Sequence, residues 1–189
     1  MPACTSRTQC RYHDRKYRRT RMTSDEFQLL RGCSPSRPVP RRPPWAIAER
    51  SFIHLCDQCG DCIRACPEQI LFGGRGGYPQ IDFSRDGCSF CGKCARICRQ
   101  GGLRITDEHP WNMKVFIAES CLSNLGTECR VCGERCQTSA IQFRRQAGCT
   151  TAMPMLEQAR CNGCGACISE CPVNAIDVLS CIQEGGLLS

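Results

Sequence analysis

The chain has 189 residues, a formal net charge of +7 and 21 cysteines, a very large cysteine share for this length. Without cysteine, the 41% hydrophobic content falls to about 30%, which is small for an ordinary protein core. No stretch approaches the roughly 18 consecutive apolar residues of a membrane span, and no apolar segment near the start is typical of a secretory signal. Together with the many thiols, this predicts a cytoplasmic protein, with a peripheral position at the inner membrane as the alternative.

Residues 1–50 are predicted to form a basic Arg/Pro-rich arm that is largely irregular. The arm holds 12 Lys and Arg against 4 Asp and Glu, whereas the rest of the chain is nearly neutral. Its closely spaced prolines disfavour helix and strand, because proline fixes φ and lacks an amide hydrogen. One short helix is predicted from Ser24 to Gly32, and Met22 is an alternative start of translation. The positive charge of the arm is the one argument for nucleic-acid binding, and it is not sufficient. A nucleic-acid partner is therefore not expected.

The segment 51–108 contains two regular cysteine motifs and is predicted to be one unit. Each motif has the pattern Cys-x2-Cys-x2-Cys-x3-Cys. The members are Cys56, Cys59, Cys62 and Cys66 in motif 1, and Cys88, Cys91, Cys94 and Cys98 in motif 2. Between the motifs, the glycine-rich residues 73–77 predict a turn that joins strands at 70–72 and 78–83.

The segment 109–189 contains two further motifs and is predicted to be a second unit. Seven residues separate the first two cysteines of motif 3, which keeps the remaining spacings, and motif 4 is regular. The members are Cys121, Cys129, Cys132 and Cys136 in motif 3, and Cys161, Cys164, Cys167 and Cys171 in motif 4. Cys56 and Cys88 are 32 residues apart, as are Cys132 and Cys164. This period predicts a repeat, with short strands at 140–143 and 175–178.

Four thiols within eleven residues are typical of bacterial 4Fe–4S ferredoxins. Three thiolates of one tight loop bind three corners of a cubane, and the fourth binds the neighbouring cluster. A zinc ribbon would use two separated cysteine pairs, and a disulfide framework would suit a secreted chain, so both alternatives fit less well. We predict an α+β fold of two tandem bacterial-type two-cluster ferredoxin-like units, with short strands and helices around four 4Fe–4S clusters. Because cluster binding contributes folding free energy, the apo-protein should fold poorly.

The crossed pattern of two-cluster ferredoxins predicts which cysteines share a cluster. Cluster 1 takes Cys56, Cys59, Cys62 and Cys98, and cluster 2 takes Cys66, Cys88, Cys91 and Cys94. Cluster 3 takes Cys121, Cys129, Cys132 and Cys171, and cluster 4 takes Cys136, Cys161, Cys164 and Cys167. Cys121 must return over the seven-residue loop, and a three-iron cluster would form if it did not. The loop itself is interpreted as a tolerated surface insertion or as a means of tuning the cluster potential.

The remaining residues give no sign of a catalytic site. The sequence contains no Ser-His-Asp order, Walker loop, dinucleotide fingerprint or HExxH motif. Five cysteines lie outside the motifs and are expected to be ordinary thiols. They are Cys4, Cys10, Cys33, Cys149 and Cys181. We therefore predict a protein that transfers electrons and is not an enzyme.

Several strings beside the cysteines are distinctive. Residues 42–45 read Arg-Pro-Pro-Trp before motif 1, and residues 76–79 read Gly-Gly-Tyr-Pro before motif 2. With these strings and the stretched motif 3, residues 29–178 resemble the ferredoxin-type NapF family of periplasmic nitrate reductase systems. Motif 3 is the most discriminating part of the resemblance, since the regular motifs recur in many ferredoxins.

The resemblance implies a cytoplasmic four-cluster accessory protein. Its partner would be the precursor of NapA, the catalytic subunit of the periplasmic nitrate reductase, which it would bind before export. It would assist maturation of that subunit by supplying electrons or iron–sulfur. The alternative is an electron-transfer subunit that relays electrons from quinol or a reductase to an oxidoreductase complex.

Overall fold

A computed structural model describes residues 40–106, 110–111, 113–145 and 151–180. All sixteen motif cysteines lie within these ranges. Several sequence predictions concern residues outside them: the arm as far as residue 39, the helix predicted from Ser24 to Gly32, and Cys4, Cys10, Cys33, Cys149 and Cys181.

The first half of the described chain, residues 40–106, alternates short helices with one small hairpin. Its elements are helix α1 (Glu49–Leu55), helix α2 (Asp61–Arg64), strand β1 (Leu71–Gly73), strand β2 (Pro79–Ile81) and helix α3 (Lys93–Arg96). The strands are antiparallel, with Leu71 opposite Ile81. A 3₁₀ turn joins them at the predicted glycine-rich segment, where Gly76 and Gly77 adopt φ values of 69° and 80° that favour glycine.

The second half, from residue 110 to 180, carries longer strands. Its elements are β3 (Met113–Ile117), α4 (Val131–Glu134), β4 (Ile141–Arg145), β5 (Ala152–Leu156), α5 (Ala166–Ser169) and β6 (Ile176–Ser180). β3 pairs with β6 and β4 with β5, both antiparallel. The strands predicted after the fourth cysteines of motifs 3 and 4 are β4 and β6. Short helices and strands in both halves make this an α+β iron–sulfur fold.

The apolar core includes cysteine side chains. Met113 and Val115 of β3 are buried, whereas the alternate residues Lys114 and Phe116 are exposed. This alternation is typical of a strand with one covered face. Cys94, Cys132 and Cys167 are buried in the same core as Phe52 and Phe83. No helix in the described part of the chain is long and apolar enough to cross a membrane.

Residues 40–47, at the end of the predicted arm, pack against both halves. The Arg41 carbonyl accepts a hydrogen bond from the Ile81 amide at 2.8 Å, and the Arg41 guanidinium pairs with Asp177 of β6 at 2.7 Å. The Trp45 amide donates to the Pro110 carbonyl at 2.6 Å. The segment therefore ties the hairpin of the first half to the sheet of the second.

Candidate metal centres

Each cysteine motif contains a four-residue helix that carries its third cysteine, and the fourth cysteine follows that helix. Helices α2, α3, α4 and α5 contain Cys62, Cys94, Cys132 and Cys167, each at the second helical position. In the three regular motifs a left-handed glycine precedes the helix, namely Gly60, Gly92 and Gly165. Motif 3 has Arg130 at this place, with φ of −131°. The stretched motif therefore enters its helix by a different backbone path.

A second repeated turn follows the fourth cysteine of every motif. The residue three places later has a positive φ and its amide donates to the carbonyl of that cysteine. The four residues are Gln69, Gly101, Ser139 and Asn174. Three of them are not glycine, so the turn gives no glycine signal in the sequence. Its position explains why a strand can begin directly after motifs 1, 3 and 4.

In the first half, thiols from both motifs lie together. Burial raises the pKa of the Cys62 thiol to about 12. The neighbouring thiols that add to this rise are Cys56, Cys94 and Cys59. Burial also raises the pKa of Cys88 to about 12, with a smaller opposing effect of the Phe90 amide. The thiols that add to this second rise are Cys94, Cys66 and Cys91. Cys66 thus lies among the cysteines of motif 2, and Cys98 is half-buried against the core.

The second half has the same arrangement. Burial raises the pKa of Cys132 to about 11. The thiols that contribute after burial are Cys121, Cys129 and Cys171. Burial raises the pKa of Cys167 to about 12. The thiols that contribute there are Cys164, Cys132, Cys161 and Cys136. Cys171 therefore lies with motif 3 and Cys136 with motif 4, and Cys121 lies near Cys132 despite the seven-residue loop.

Two recesses are each lined by one set of four cysteines. The free space in and around the first recess, open solvent included, is about 330 Å³, and that of the second is about 320 Å³. The cysteines that line the first are Cys66, Cys88, Cys91 and Cys94. Those that line the second are Cys136, Cys161, Cys164 and Cys167. Each set combines the fourth cysteine of one motif with the first three of the next.

The donor set fits polynuclear iron clusters. The sixteen thiols are free, with no disulfide among them. Iron binding requires thiolates, and buried thiolates so close together need a positive counter-charge, which iron ions supply. Within the described ranges, no three His, Cys, Asp or Glu side chains are grouped in a way that would hold a single metal ion. Four thiols that line one recess suit a cluster in which each thiolate binds a different iron.

Backbone amides point at several of the sulfurs. The Ala140 amide donates to Cys136 Sγ and the Ala175 amide to Cys171 Sγ, each at 3.2 Å. Although burial raises the pKa of Cys136, hydrogen bonds from the Thr138 hydroxyl and from nearby amides leave it below its ordinary value. Such bonds stabilise a charged sulfur and are a known means of tuning a cluster potential.

The seven-residue loop of motif 3 is tied down by buried polar side chains. Ser123 is 1% exposed, and its hydroxyl donates to the Cys129 carbonyl at 2.7 Å. Thr151, at the start of the β5 region, donates to the Ser123 carbonyl at 3.4 Å. Glu128, at the end of this loop, forms an exposed ion pair with Arg130 at 3.0 Å. The loop is therefore held against Cys129 and the start of the β5 region through Ser123.

The sequence prediction missed residues between the motifs that contact the cysteine loops. Trp111 donates from Nε1 to the carbonyl of Asn162, inside motif 4, at 2.9 Å. Its ring also lies 5.2 Å from that of Phe90, inside motif 2. The only hint in the sequence is that the chain has two tryptophans, and both lie just outside a cysteine motif.

Comparisons with known proteins agree with this geometry. The family described as a 4Fe-4S dicluster domain matches residues 55–102, and the 4Fe-4S binding domain family matches residues 154–177. The ferredoxin-type protein NapF of Escherichia coli strain K12 is 40% identical over 135 residues, which cover 71% of this chain and 82% of the relative.

Two further relatives extend this similarity. The ferredoxin-type protein NapF of Haemophilus influenzae is 43% identical over 135 residues, covering 71% of this chain and 76% of the relative. The ferredoxin-type protein NapG of Escherichia coli strain K12 is 31% identical over 160 residues, covering 73% of this chain and 69% of the relative. The similarity thus spans both halves of the molecule.

Proposed function

This chain belongs to the NapF family of ferredoxin-type iron–sulfur proteins, and we propose from that premise that it is a cytoplasmic accessory protein for the periplasmic nitrate reductase. In this proposal it binds the precursor of the catalytic subunit before export and assists maturation by supplying electrons or iron–sulfur. The observation that carries the proposal is the identity of 40–43% with two NapF proteins over most of their length. The protein would have no catalytic site of its own.

The proposed cofactors are four 4Fe–4S clusters in two tandem units, 51–108 and 109–189, after an arm at 1–50. Support comes from the crossed thiol neighbourhoods in both halves. Cys66 lies with motif 2, and Cys136 lies with motif 4. We therefore keep the four ligand sets predicted from the sequence, with Cys98 and Cys171 as the crossing ligands of clusters 1 and 3.

When bound, such clusters supply one-electron transfer. The chain buries four of the motif cysteines and partly buries ten others. It also directs amides to the sulfurs of Cys88, Cys136 and Cys171. Of the sixteen motif cysteines, Cys59 and Cys91 are exposed. Both belong to the first half, so a redox partner that must approach closely would dock there.

The alternative function is a working relay from quinol or a reductase to an oxidoreductase complex. It is favoured by packing between the helices that carry the third cysteines, α2 with α3 and α4 with α5. These pairs connect the two predicted clusters within each half. A continuous row of clusters would suit a relay as well as an accessory protein.

A binding experiment separates the two functions. The full chain, purified anaerobically, is immobilised and offered the catalytic-subunit precursor and, separately, the mature subunit, with iron counted in the same sample. The accessory function predicts preferential capture of the precursor, and a deletion strain should contain a cluster-poor catalytic subunit. Preference for the mature complex, together with a correctly assembled but unreduced enzyme in the deletion strain, would support the relay and overturn the accessory function.

A further inference from the structure

The loops of motifs 2 and 4 touch through their backbones. The Cys88 amide donates a hydrogen bond to the Cys164 carbonyl, with an N–O distance of 2.7 Å. Cys88 lines the first recess and Cys164 the second. A single backbone hydrogen bond therefore joins a residue of one cysteine set to a residue of the other. We call residues 87–90 and 162–166 the motif 2–motif 4 junction.

Glycine makes this close approach possible. A Cβ added to the buried Gly87 would lie 2.6 Å from the Ala166 amide nitrogen and 2.7 Å from the Ala166 Cα. Both are backbone atoms, so the two loops would have to move apart to make room for a side chain. Gly87 has no positive φ, so its backbone conformation does not require glycine. Its lack of a side chain is explained by the packing against Ala166 alone.

An aromatic side chain fixes the same two loops from outside. Trp111 contacts Phe90 between Cys88 and Cys91, and it hydrogen-bonds the Asn162 carbonyl between Cys161 and Cys164. Arg135 lies across the same boundary, 3.4 Å from Asp86 and 3.3 Å from Glu170. Because these ion pairs are half-exposed, they contribute little stability. Trp111 is thus the main side-chain clamp.

We propose that electrons cross between the two halves at the motif 2–motif 4 junction, so that the four clusters are connected in the order 1, 2, 4, 3. The thiolates of Cys66, Cys88, Cys91 and Cys94 would hold one cluster, and those of Cys136, Cys161, Cys164 and Cys167 would hold the other. A single electron would pass from the reduced member of this pair to the oxidised one, in either direction, without a bond being made or broken. The chain connects the two ligand sets from Cys88, through its amide hydrogen bond, to the Cys164 carbonyl.

This order goes beyond the accessory function, although it rests on the four-cluster assignment proposed above. Within each half the helices that carry the third cysteines pack against each other, α2 against α3 and α4 against α5. The junction supplies the missing link between cluster 2 and cluster 4. Clusters 1 and 3 then form the two ends of the path. Trp111 acts as a positioning residue in this scheme.

The test compares two glycine substitutions in the full, cluster-loaded chain. Gly87→Ala introduces the clash with Ala166 and should separate the junction. Gly73→Ala is the matched control, because a Cβ there has nothing within 4 Å and the residue has no positive φ. Trp111→Phe keeps a ring but loses the hydrogen bond to Asn162. If Gly87→Ala loads iron poorly, the same measurements on Trp111→Phe test the junction in its place.

Two measurements are made on each protein. Hydrogen–deuterium exchange of the Cys88 amide reports whether the junction has opened, and we expect about tenfold faster exchange in Gly87→Ala. Multifrequency EPR of the fully reduced protein reports magnetic coupling between neighbouring clusters. The inference predicts loss of one of three couplings in Gly87→Ala, weakening of the same coupling in Trp111→Phe, and the native pattern in Gly73→Ala.

The outcomes separate failure of the inference from failure of the assignment. If the native protein holds fewer than four clusters, the proposed assignment and this inference fall together. If it holds four clusters but exchange at Cys88 is unchanged in Gly87→Ala and Trp111→Phe, the junction is wrong. If Cys88 exchanges faster while all couplings persist, electrons do not depend on the junction and the proposed order is overturned.

Discussion

The two halves of the molecule arrange their cysteines in similar ways, although their β-sheets differ in size. In the second half, β3–β6 and β4–β5 are each paired over five residues. The first half has a three-residue hairpin and, in place of a second sheet, a single bridge between Ala46 and Leu103. In both halves the fourth cysteine of the earlier motif, Cys66 or Cys136, nevertheless lines a recess with the first three cysteines of the later motif. The cysteine loops, more than the sheets, therefore determine how the thiols are arranged.

Each half is stabilised by a different set of polar contacts. In the first half, the Arg42 side chain is 11% exposed and pairs with both carboxylate oxygens of Glu49, at 2.6 and 2.9 Å. It also lies over the rings of Phe52 and Tyr78. In the second half, the buried Ser123 hydroxyl secures the stretched loop. The difference shows that short sheets and long loops can both be stabilised locally.

The largest expected effect comes from removing an equivalent cysteine in each half. Cys62→Ser and Cys132→Ser each remove the third thiolate of a motif, so each should lose one cluster. Iron should fall from about 16 to about 12 per chain in both variants. Iron analysis and visible absorbance check this. Cys181→Ser, outside the motifs, should keep all its iron, and unequal losses from the two halves would show that they do not hold equivalent clusters.

The first cysteines of motifs 1 and 3 give the next effect. Cys56→Ser and Cys121→Ser should each remove about one iron and leave a three-iron cluster, because the third thiolate of the motif, which is packed in or against the core, remains with two others in each set. EPR of the oxidised proteins detects such a cluster. If Cys56→Ser gives this signal and Cys121→Ser does not change the spectrum, the stretched loop does not deliver a ligand.

Two consecutive arginines provide a smaller, paired effect. Arg42→Ala removes two hydrogen bonds to Glu49, one to the Pro79 carbonyl and two ring contacts, so the free energy of unfolding should fall by about 2 kcal/mol. Arg41→Ala removes a half-exposed ion pair with Asp177 and a long hydrogen bond to the Val178 carbonyl, which should cost less than about 1 kcal/mol. The urea midpoint for loss of visible absorbance measures both. Equal shifts would mean that the Arg42–Glu49 pair stabilises the protein no more than the exposed Arg41–Asp177 pair does.

The smallest expected effect is in the stretched loop. Ser123→Ala leaves the buried Cys129 carbonyl without its hydroxyl donor, which should lower the free energy of unfolding by about 1 kcal/mol. Ser84→Ala is the control, since that exposed hydroxyl bonds only the neighbouring Asp82 carboxylate. The same urea midpoint is measured. A shift no larger than that of the control would show that the loop is not secured through Ser123.

The sequence predicted the parts of the site that depend on local spacing. The x2 and x3 steps between cysteines are short, so the chain itself brings those thiols together. The left-handed turns at Gln69, Ser139 and Asn174 were not predicted, because none of these residues is glycine. Each turn is closed by a bond from the amide of the turn residue to the carbonyl of the fourth cysteine, which no residue type in the sequence marks.

Contacts between distant segments were also beyond the sequence. Nothing in the spacing of motifs 2 and 4 indicates that Cys88 bonds Cys164, since this contact depends on how the two halves pack. Residues 40–47 read as the end of an irregular arm, and they are irregular, but they pack against both halves. Proline suppresses regular structure without preventing burial, as Pro43 and Pro44 show by being buried.

The central claim is that the sixteen motif cysteines hold four iron–sulfur clusters in crossed sets. The most direct test is to count iron, zinc and acid-labile sulfide in the anaerobically purified full chain, with the visible spectrum of the same sample. The account predicts about sixteen irons and sixteen sulfides per chain and a visible chromophore. About four zincs, no labile sulfide and a colourless protein would contradict it.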